Sequence, residues 1–498
     1  VKGMKISTLF QKSGVNTSQP ISKAIGEMAI TGISESSQTV APGHVFVAIS
    51  GFQKDGTAYI QDAIDAGAAL IVTDRPLAIK RTGATKNTAF VQVANARKAL
   101  GALVAAYYGF PSQDKLVIGI TGTNGKTTTA LFLQHLLEKA GYQVAYFGTV
   151  YNEVNGQRYD ATLTTPSATE IQKALANSDD DAVIIEASSQ GLDQYRMQGV
   201  TFDYALFTNM YRDHLDYHES MENYFQAKKM LFDLLKEDGT AVINTYTMWG
   251  HRLASELQAA GKQVVTVGQE EGANAHVLDC YDDAAEVDFN GQVVTITAPL
   301  AGTYNQENLI LATAVVDDLG LDPGNTNQAI VDFPGISGRL ETYEVSPEET
   351  IIVDYAHTPD AIEALLTSLG NTYPGRDIIH IFGFRGQRDS GKFPKMVQAS
   401  QANADFTILT TDDLNGVTQH KMVANYSQYM TYYGFDNLAT IMDRFEALQT
   451  AFEMAKRPTL LVMTGKGHEN YRIPCRTGVI SDQEAAEAMM QSRVVHFR

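Results

Sequence analysis

Residues 117–130 read Val-Ile-Gly-Ile-Thr-Gly-Thr-Asn-Gly-Lys-Thr-Thr-Thr-Ala, an apolar strand that runs into a Gly-rich loop and then a helix. A turn of this kind aims loop N–H groups and a helix N-terminus at one point, where the phosphates of a nucleotide can sit. Its candidate phosphate contacts are Gly122, Thr123, Asn124, Gly125, Lys126, Thr127 and Thr128. Lys126 offers a positive charge to the β/γ-phosphates and Thr127 a hydroxyl to Mg²⁺. The generic P-loop pattern places its first Gly where Ile120 stands, so Gly119, Gly122 and Gly125 supply flexibility at shifted positions. Leu131, Phe132, Leu136 and Leu137 recur at helical spacing behind the loop, which separates it from an ordinary surface turn.

Two further clusters carry chemistry. Glu186 opens Glu-Ala-Ser-Ser-Gln-Gly-Leu after an apolar run. A carboxylate there either holds Mg²⁺ through oxygen or sits as an acid at a helix N-terminus. Asp213, His214, Asp216 and His218 crowd one short polar stretch, a density suited to metal ligation or to orienting a nucleophile. Their spacing is not that of a zinc motif, and any one of these histidines taken alone reads as structural. Lys228 and Lys229 read, on composition, as a solvated helix face.

These residues need elements to position them. At 498 residues the chain exceeds what one core organises, and about three domains are expected. Strand-like and helix-like stretches alternate, which predicts α/β layers with mostly parallel sheets. The divisions expected are 1–112, 113–338 and 339–498. The first holds strands at 44–49 and 69–73 and helices at 58–66 and 95–108. The second holds strands at 115–121, 182–186 and 204–208, a β-rich hairpin at 285–298 turning at Asn290-Gly291, and a helix at 305–319. Pro334-Gly335-Ile336-Ser337-Gly338 reads as a hinge. The third alternates strands at 350–354, 377–383, 406–411 and 459–465 with helices, as in a doubly wound sheet. Ligands of such sheets bind beyond the carboxyl ends of the strands.

A net charge of −19 argues against nonspecific nucleic-acid binding. Two cysteines, Cys280 and Cys475, suggest neither a disulfide framework nor a Cys-based zinc site. With no 18-residue apolar run and no basic-then-apolar leader, the expectation is a cytoplasmic chain without a membrane partner.

Taken together, Thr121-Gly-Thr-Asn-Gly-Lys-Thr-Thr, Glu186-Ala-Ser-Ser-Gln-Gly-Leu, Asn209-x-x-Arg-Asp-His-Leu-Asp-Tyr-His and Gly465-Lys-Gly-His-Glu resemble the Mur ligases across nearly the whole chain. Their order resembles the branch that extends UDP-N-acetylmuramoyl-L-Ala-D-Glu by a diamino acid. The resemblance implies an N-terminal UDP-binding α/β domain, a central P-loop ATPase-type α/β domain with a small β-rich patch, and a C-terminal Rossmann-like doubly wound domain. It implies ATP-dependent amide formation through an acyl phosphate, in peptidoglycan precursor synthesis and so in cell-wall biogenesis, cell shape and division.

By the same resemblance, Lys126, Glu186, His214 and Lys228 are catalytic. Mg²⁺ falls to Thr127, Glu186, His214 and Lys228, the last as a carbamate. ATP falls to the Gly122–Thr128 loop with Asn305, Asn308, Arg339, Asp354 and His357. The UDP-muramoyl peptide falls to Ser36, Thr164, Thr165, Ser188, Gln194 and Arg196. Gly43-His-Val-Phe-Val-Ala-Ile-x-Gly and Asp55-Gly resemble the uridine-diphosphate domain. The incoming amino acid falls to Arg388 at its α-carboxylate, Glu469 at its amine, and Asp412, Asp413, Asn415 and Gly465. The chain is expected to work as a monomer on these small molecules.

In diaminopimelate users of the family the stretch at 412–415 reads Asp-Asn-Pro-Arg, whose Arg pairs with the distal carboxylate that lysine lacks. Here it reads Asp412-Asp413-Leu414-Asn415, with no fork at 415 and two acids suited to an ammonium tip. L-Lysine is the expected substrate, with L-ornithine its rival. The same two acids also read as a helix N-cap region. The family's usual Asp-Ser-Arg appears as Glu35-Ser36-Ser37, Ser-Ser-His as Ser188-Ser189-Gln190, and Gly-Cys-Gly-Gly-Asp-Arg-Asp as Gly383-Phe-Arg-Gly-Gln-Arg-Asp. Arg385, within the last, is expected to face solvent. Two other readings compete: the same ligase chemistry on a folate or cyanophycin-type substrate, and a catalytically silent nucleotide-binding paralogue. The UDP-type first domain and Thr164-Thr-Pro oppose the first. Retention of Lys126, Glu186, His214 and Lys228 opposes the second.

Overall fold

Four short apolar segments, Gly32–Ser34, His44–Ala48, Leu70–Thr73 and Ala89–Gln92, pair in that order as a parallel sheet. They belong to a computed structural model that describes residues 3–51, 56–75 and 87–496. Asp55 lies outside the described residues. Alternation along the strands divides the side chains between two faces. Val45, Val47, Leu70 and Val72 pack on helices Ile6–Ser13 and Ala96–Tyr107, while Phe46, Ala48 and Ile71 pack on helix Ile60–Asp65. Burial on both faces explains why the middles of these strands are apolar, with Ser34, His44, Thr73 and Gln92 only at their ends.

The chain resolves into two compact units. The first comprises Val1–Thr121, Gly141–Leu206 and Ala227–Ala241. Besides the sheet above, it holds strands Gln157–Tyr159, Asn152–Val154, Val144–Phe147, Ala182–Glu186 and Leu116–Thr121, hydrogen-bonded in that order. Ala182–Glu186 runs parallel to both of its neighbours. The outer pair is an antiparallel hairpin whose turn, Asn155-Gly156, has positive φ at both residues, the geometry that such a dipeptide favours.

The second unit comprises Gly122–Ala140, Phe207–Gln226 and Val242–Arg498. Strands Gln263–Gly268, Ala275–Cys280, Ala285–Phe289 and Gln292–Ile296 are hydrogen-bonded in that order within it. The hairpin expected at 285–298 is there and turns at Asn290-Gly291. Helices Lys126–Lys139 and Thr303–Asp318 pack together and bury most of their side chains, so neither reads as amphipathic. A six-stranded sheet runs Glu341–Ser346, Glu349–Asp354, Thr459–Thr464, Asp377–Phe384, Phe406–Thr411 and Leu438–Thr440. It is parallel except for Glu341–Ser346, an antiparallel edge strand that continues from the 334–338 segment. Apolar clusters cover both of its faces. The α/β architecture with mostly parallel sheets is as expected from the sequence.

Candidate active site

The Gly-rich loop is braced by the stretch that follows strand Phe202–Phe207. Thr208 Oγ1 donates to Asn124 O at 2.6 Å, Asn124 N to Asn209 Oδ1 at 2.9 Å, and Tyr211 N to Thr123 Oγ1 at 3.0 Å. Two glycines are forced. Gly122 and Gly125 have φ of +150° and +86°, and a Cβ on either would collide with Thr208 Oγ1 or Asn308 Oδ1 respectively. Gly125 caps helix Lys126–Lys139, whose first N–H groups therefore lack a side-chain acceptor and suit an anion. Lys126 Nζ folds back onto Gly122 O at 2.8 Å and Thr123 O at 3.2 Å.

A cavity of about 250 Å³ opens from this loop. Asn124, Gly125, Thr128, Asn305, Asn308, Arg339, Asp354 and His357 line it, so these members of the nucleotide set expected from the sequence come together within the second unit. Arg339 lies 4.6 Å above the Tyr355 ring, and its Nη2 is 3.4 Å from Thr127 Oγ1. The buried Arg339 Nε and Tyr304 hydroxyl have no hydrogen-bond partner among the described residues, which a bound polar ligand would supply. Burial raises the Asp354 carboxyl despite Arg339 and the Ala356 and Leu340 amides that it accepts from.

Asp213 is a hub rather than one of a row of equals. Lys392 Nζ lies 2.8 Å from its Oδ1, while His214 Nε2 and His357 Nε2 lie 3.4 and 3.5 Å from its Oδ2. Burial opposes ionisation, but His214, Lys392 and His357 hold the carboxyl well below the usual carboxylate range. The sequence reading gave Lys392 no role. Asp216 meets Arg388 at 3.5 Å. His218 is buried and stacks on Tyr224, which makes it structural.

On the C-terminal sheet, Asp412, Asp413 and Glu469 converge, but not as free acids. Arg385 lies 2.6 Å from Glu469 and 3.3 Å from Asp412, and Lys466 lies 2.9 Å from Asp413. Burial would raise Asp412 and Glu469; Arg385 and Lys466 bring both below their ordinary values. Arg385 thus corrects the solvent-facing expectation: it is largely buried, and it also donates to Gly465 O at 2.9 Å. The N-cap expectation for Asp412 and Asp413 also fails, because Thr418 caps helix Gln419–Tyr433. Asn415 Oδ1 accepts from Arg472 Nη1 at 2.8 Å. Both residues line a cavity of about 550 Å³ with Asp412, Asp413, Lys466 and Arg476.

The first unit carries its own cluster. Thr165 Oγ1 donates to Glu186 O at 2.6 Å and accepts from Ser188 N at 3.0 Å. Arg196 reaches Thr165 O at 3.0 Å and Gln194 Oε1 at 2.9 Å, while Thr164 meets Thr149 at 3.2 Å. Thr164, Thr165, Ser188, Gln194 and Arg196 therefore sit together. Ser36 lies in the same unit at the start of a single turn, Ser37–Thr39. The Glu186 carboxylate accepts from Tyr146 OH and from Thr149 N and Oγ1. Lys228 is 1 % exposed, so the solvated-face reading from composition does not hold.

Of the residues assigned to Mg²⁺, Glu186 and Lys228 belong to the first unit and Thr127 and His214 to the second. Among the described residues, no group of three or more His, Cys, Asp or Glu is arranged to hold a metal ion. The Thr127 hydroxyl, at the start of the helix behind the loop, has the hard-oxygen chemistry that Mg²⁺ prefers. No helix among the described residues is long and apolar enough to cross a membrane.

Comparison with known proteins agrees with this arrangement. Residues 29–108 match the Mur ligase family catalytic domain, residues 120–316 the Mur ligase middle domain, and residues 338–467 the Mur ligase glutamate ligase domain. The UDP-N-acetylmuramoyl-L-alanyl-D-glutamate--2,6-diaminopimelate ligase of Trichormus variabilis is 34% identical, over 98% of this chain and 99% of its own. A solved structure of a ligase with that name superposes with a TM-score of 0.69 at 26% identity, over 99% of both chains. The MurF ligase from Thermotoga maritima in complex with ADP shares the fold at 16% identity, with a TM-score of 0.63 over 94% of this chain and 98% of that one. The chain belongs to the Mur ligase family of ATP-dependent amide ligases.

Proposed function

We propose that this enzyme joins L-lysine to UDP-N-acetylmuramoyl-L-Ala-D-Glu at the expense of ATP, through an acyl phosphate, in peptidoglycan precursor synthesis. A free carboxylate is a poor acyl donor because oxide is a poor leaving group. Its oxygen attacks the γ-phosphorus, the bond to the β-phosphate oxygen breaks, and ADP leaves. The amine nitrogen then attacks the acyl carbon, phosphate departs with the electron pair, and the amine loses a proton. Phosphoryl transfer asks mainly for positioning and neutralisation of charge. The carrying observation is the cavity that opens from the Gly122–Thr128 loop, with Arg339 beside Thr127 and unpartnered polar atoms in its wall.

In this reading Lys126 and the loop amides hold the triphosphate, Asn305, Asn308, Arg339, Asp354 and His357 hold the rest of the nucleotide, and Thr127 takes Mg²⁺, which screens phosphate charge. Glu186, His214 and a carbamylated Lys228 complete the catalytic and metal set. Ser36, Thr164, Thr165, Ser188, Gln194 and Arg196 bind the UDP-muramoyl peptide. Arg388, Asp412, Asp413, Asn415, Gly465 and Glu469 bind the amino acid. The divisions 1–112, 113–338 and 339–498, a cytoplasmic location and a monomeric state belong to the same proposal.

L-Lysine rests on Asn415, which offers no fork to a distal carboxylate. A second reading, diaminopimelate, is favoured by the names of the relatives and by Arg472, which Asn415 holds at the wall of the 550 Å³ cavity. Phosphate release with UDP-muramoyl dipeptide and ATP, compared across L-lysine, L-ornithine and meso-diaminopimelate, decides between them. Highest kcat/KM with L-lysine supports the proposal, a preference for diaminopimelate transfers the role to Arg472, and no release with any amine supports a silent paralogue.

A further inference from the structure

We propose that Tyr355 is a positioning residue for the second substrate: its hydroxyl sets the Glu469 carboxylate that receives the incoming amine. The inference rests on the reading that Glu469 binds that amine. It concerns a residue that this reading leaves without a part.

The topology brings the two residues together. Tyr355 directly follows strand Glu349–Asp354, and Gly465 directly follows strand Thr459–Thr464. These strands pair in parallel with Asp354 opposite Thr464, so segments 355–357 and 465–469 leave the sheet side by side at its carboxyl edge. They then lie in close contact. Gly467 has φ of +52°, and a Cβ there would come within 2.9 Å of Tyr355 Cβ and Cδ2. Gly338, which precedes Arg339, has φ of +71°, and a Cβ there would collide with His468 N. Only glycine lets the three segments approach so closely.

The Tyr355 ring is held on several sides. Arg339 lies 4.6 Å from its centroid and Arg385 5.9 Å, both as cations against an aromatic ring. The His357 and His468 rings flank it at 4.8 and 5.6 Å. A ring fixed in this way aims its hydroxyl at one point, and Glu469 Oε1 stands there, accepting from it at 3.0 Å. Burial raises the phenol above its ordinary value, so it keeps the proton that it donates.

Glu469 therefore has a separate donor on each oxygen, Tyr355 on Oε1 and Arg385 on Oε2 at 2.6 Å. Lys466, 3.5 Å away, also faces Oε2. Without the phenol both cations pull on one oxygen, and the carboxylate can turn about it. A carboxylate has about four acceptor sites, so two oxygens pinned by one donor each still offer lone pairs in fixed directions to an ammonium group. Tyr355 supplies the second of these pins.

The test is steady-state phosphate release by the full chain, with ATP and the amino acid varied in turn. The amino acid is L-lysine, or meso-diaminopimelate where that is the better substrate. Wild type, Tyr355→Phe, Glu469→Gln and the double variant are compared, with circular dichroism melts to confirm folding. Tyr355→Phe keeps the ring against Arg339 and loses only the donor. Its KM for the amino acid rises about tenfold, the worth of one hydrogen bond to a charged group. Its kcat and its KM for ATP stay within about twofold, which general loosening of the fold would not produce. Glu469→Gln, with one acceptor oxygen in place of two, also raises KM for the amino acid. In the double variant, loss of the hydroxyl adds little to that effect, because both changes act on one contact. An unchanged amino-acid KM in Tyr355→Phe beside a raised one in Glu469→Gln overturns the inference and leaves the reading of Glu469 standing. A full tenfold effect of the hydroxyl in the Glu469→Gln background overturns it as well. An unchanged amino-acid KM in Glu469→Gln overturns that reading and the inference with it.

Discussion

Arg385 donates to Glu469 Oε2 at 2.6 Å and lies 3.3 Å from Asp412, so one guanidinium joins two carboxylates assigned to the incoming amino acid. Together with Lys466 it brings that group of acids close to neutrality before any substrate arrives. Removing one partner from a largely buried ion network strands the others. Arg385→Ala is expected to cost about 3 kcal/mol of stability. It also raises KM for the amino acid and leaves KM for ATP within about twofold, since the nucleotide cavity does not include Arg385. Urea unfolding and steady-state kinetics with each substrate varied in turn measure both effects.

Lys126→Ala is expected to abolish phosphate release, by about a thousandfold or more, because nothing else on the loop carries a positive charge toward the γ-phosphate. Lys228→Ala is expected to reduce turnover nearly as far, with partial rescue by short carboxylates that replace a carbamate. Near-normal turnover of the Lys228 variant rules out the carbamate role. Coupled phosphate assays with and without added acetate or formate make the comparison.

Asn415→Arg is expected to raise kcat/KM for meso-diaminopimelate about tenfold, the worth of one charge-assisted hydrogen bond, and to lower it for L-lysine. The gain is reduced by the backbone, because residue 415 has φ of +48°, a conformation strained for Arg. An unchanged ratio of the two substrates means that residue 415 does not sort them.

His380 makes the C-terminal sheet acid-sensitive. It is buried in strand Asp377–Phe384, with Nδ1 2.7 Å from Ser400 Oγ and Nε2 2.8 Å from Thr464 Oγ1. Burial, aided by Arg444, pushes its pKa down to about 3, whereas the unfolded chain protonates near the ordinary value of 6.5. Below that value the unfolded state binds the extra proton, so stability is full above pH 6.5 and declines as pH falls toward 3. Between pH 6.5 and 5 the loss is about 2 kcal/mol from this group. Denaturant unfolding of the wild type and His380→Gln at both pH values should show the wild type's stability falling relative to the variant's by that amount as pH drops from 6.5 to 5.

The strands that carry the site were legible because both of their faces are buried, so Ala182–Glu186 and Thr459–Thr464 stand out as unbroken apolar runs. The phosphate loop was legible because glycine is obligatory at 122 and 125. Edge elements were not. Gln157–Tyr159 is exposed throughout, and Glu341–Ser346 is polar and partly exposed, so neither had the apolar pattern of a core strand. Partners distant in sequence were hidden as well. Arg385 reaches Glu469, and Lys392 reaches Asp213, across 84 and 179 residues of chain that only the folded structure brings together.

The central claim is that the substrate's carboxylate is activated as an acyl phosphate. It is tested most directly by enriching both oxygens of the D-Glu side-chain carboxylate with heavy oxygen and following the label through one turnover with ATP and L-lysine. Transfer of one labelled oxygen into inorganic phosphate, with one retained in the new amide, is the predicted result. Phosphate released without label contradicts the account.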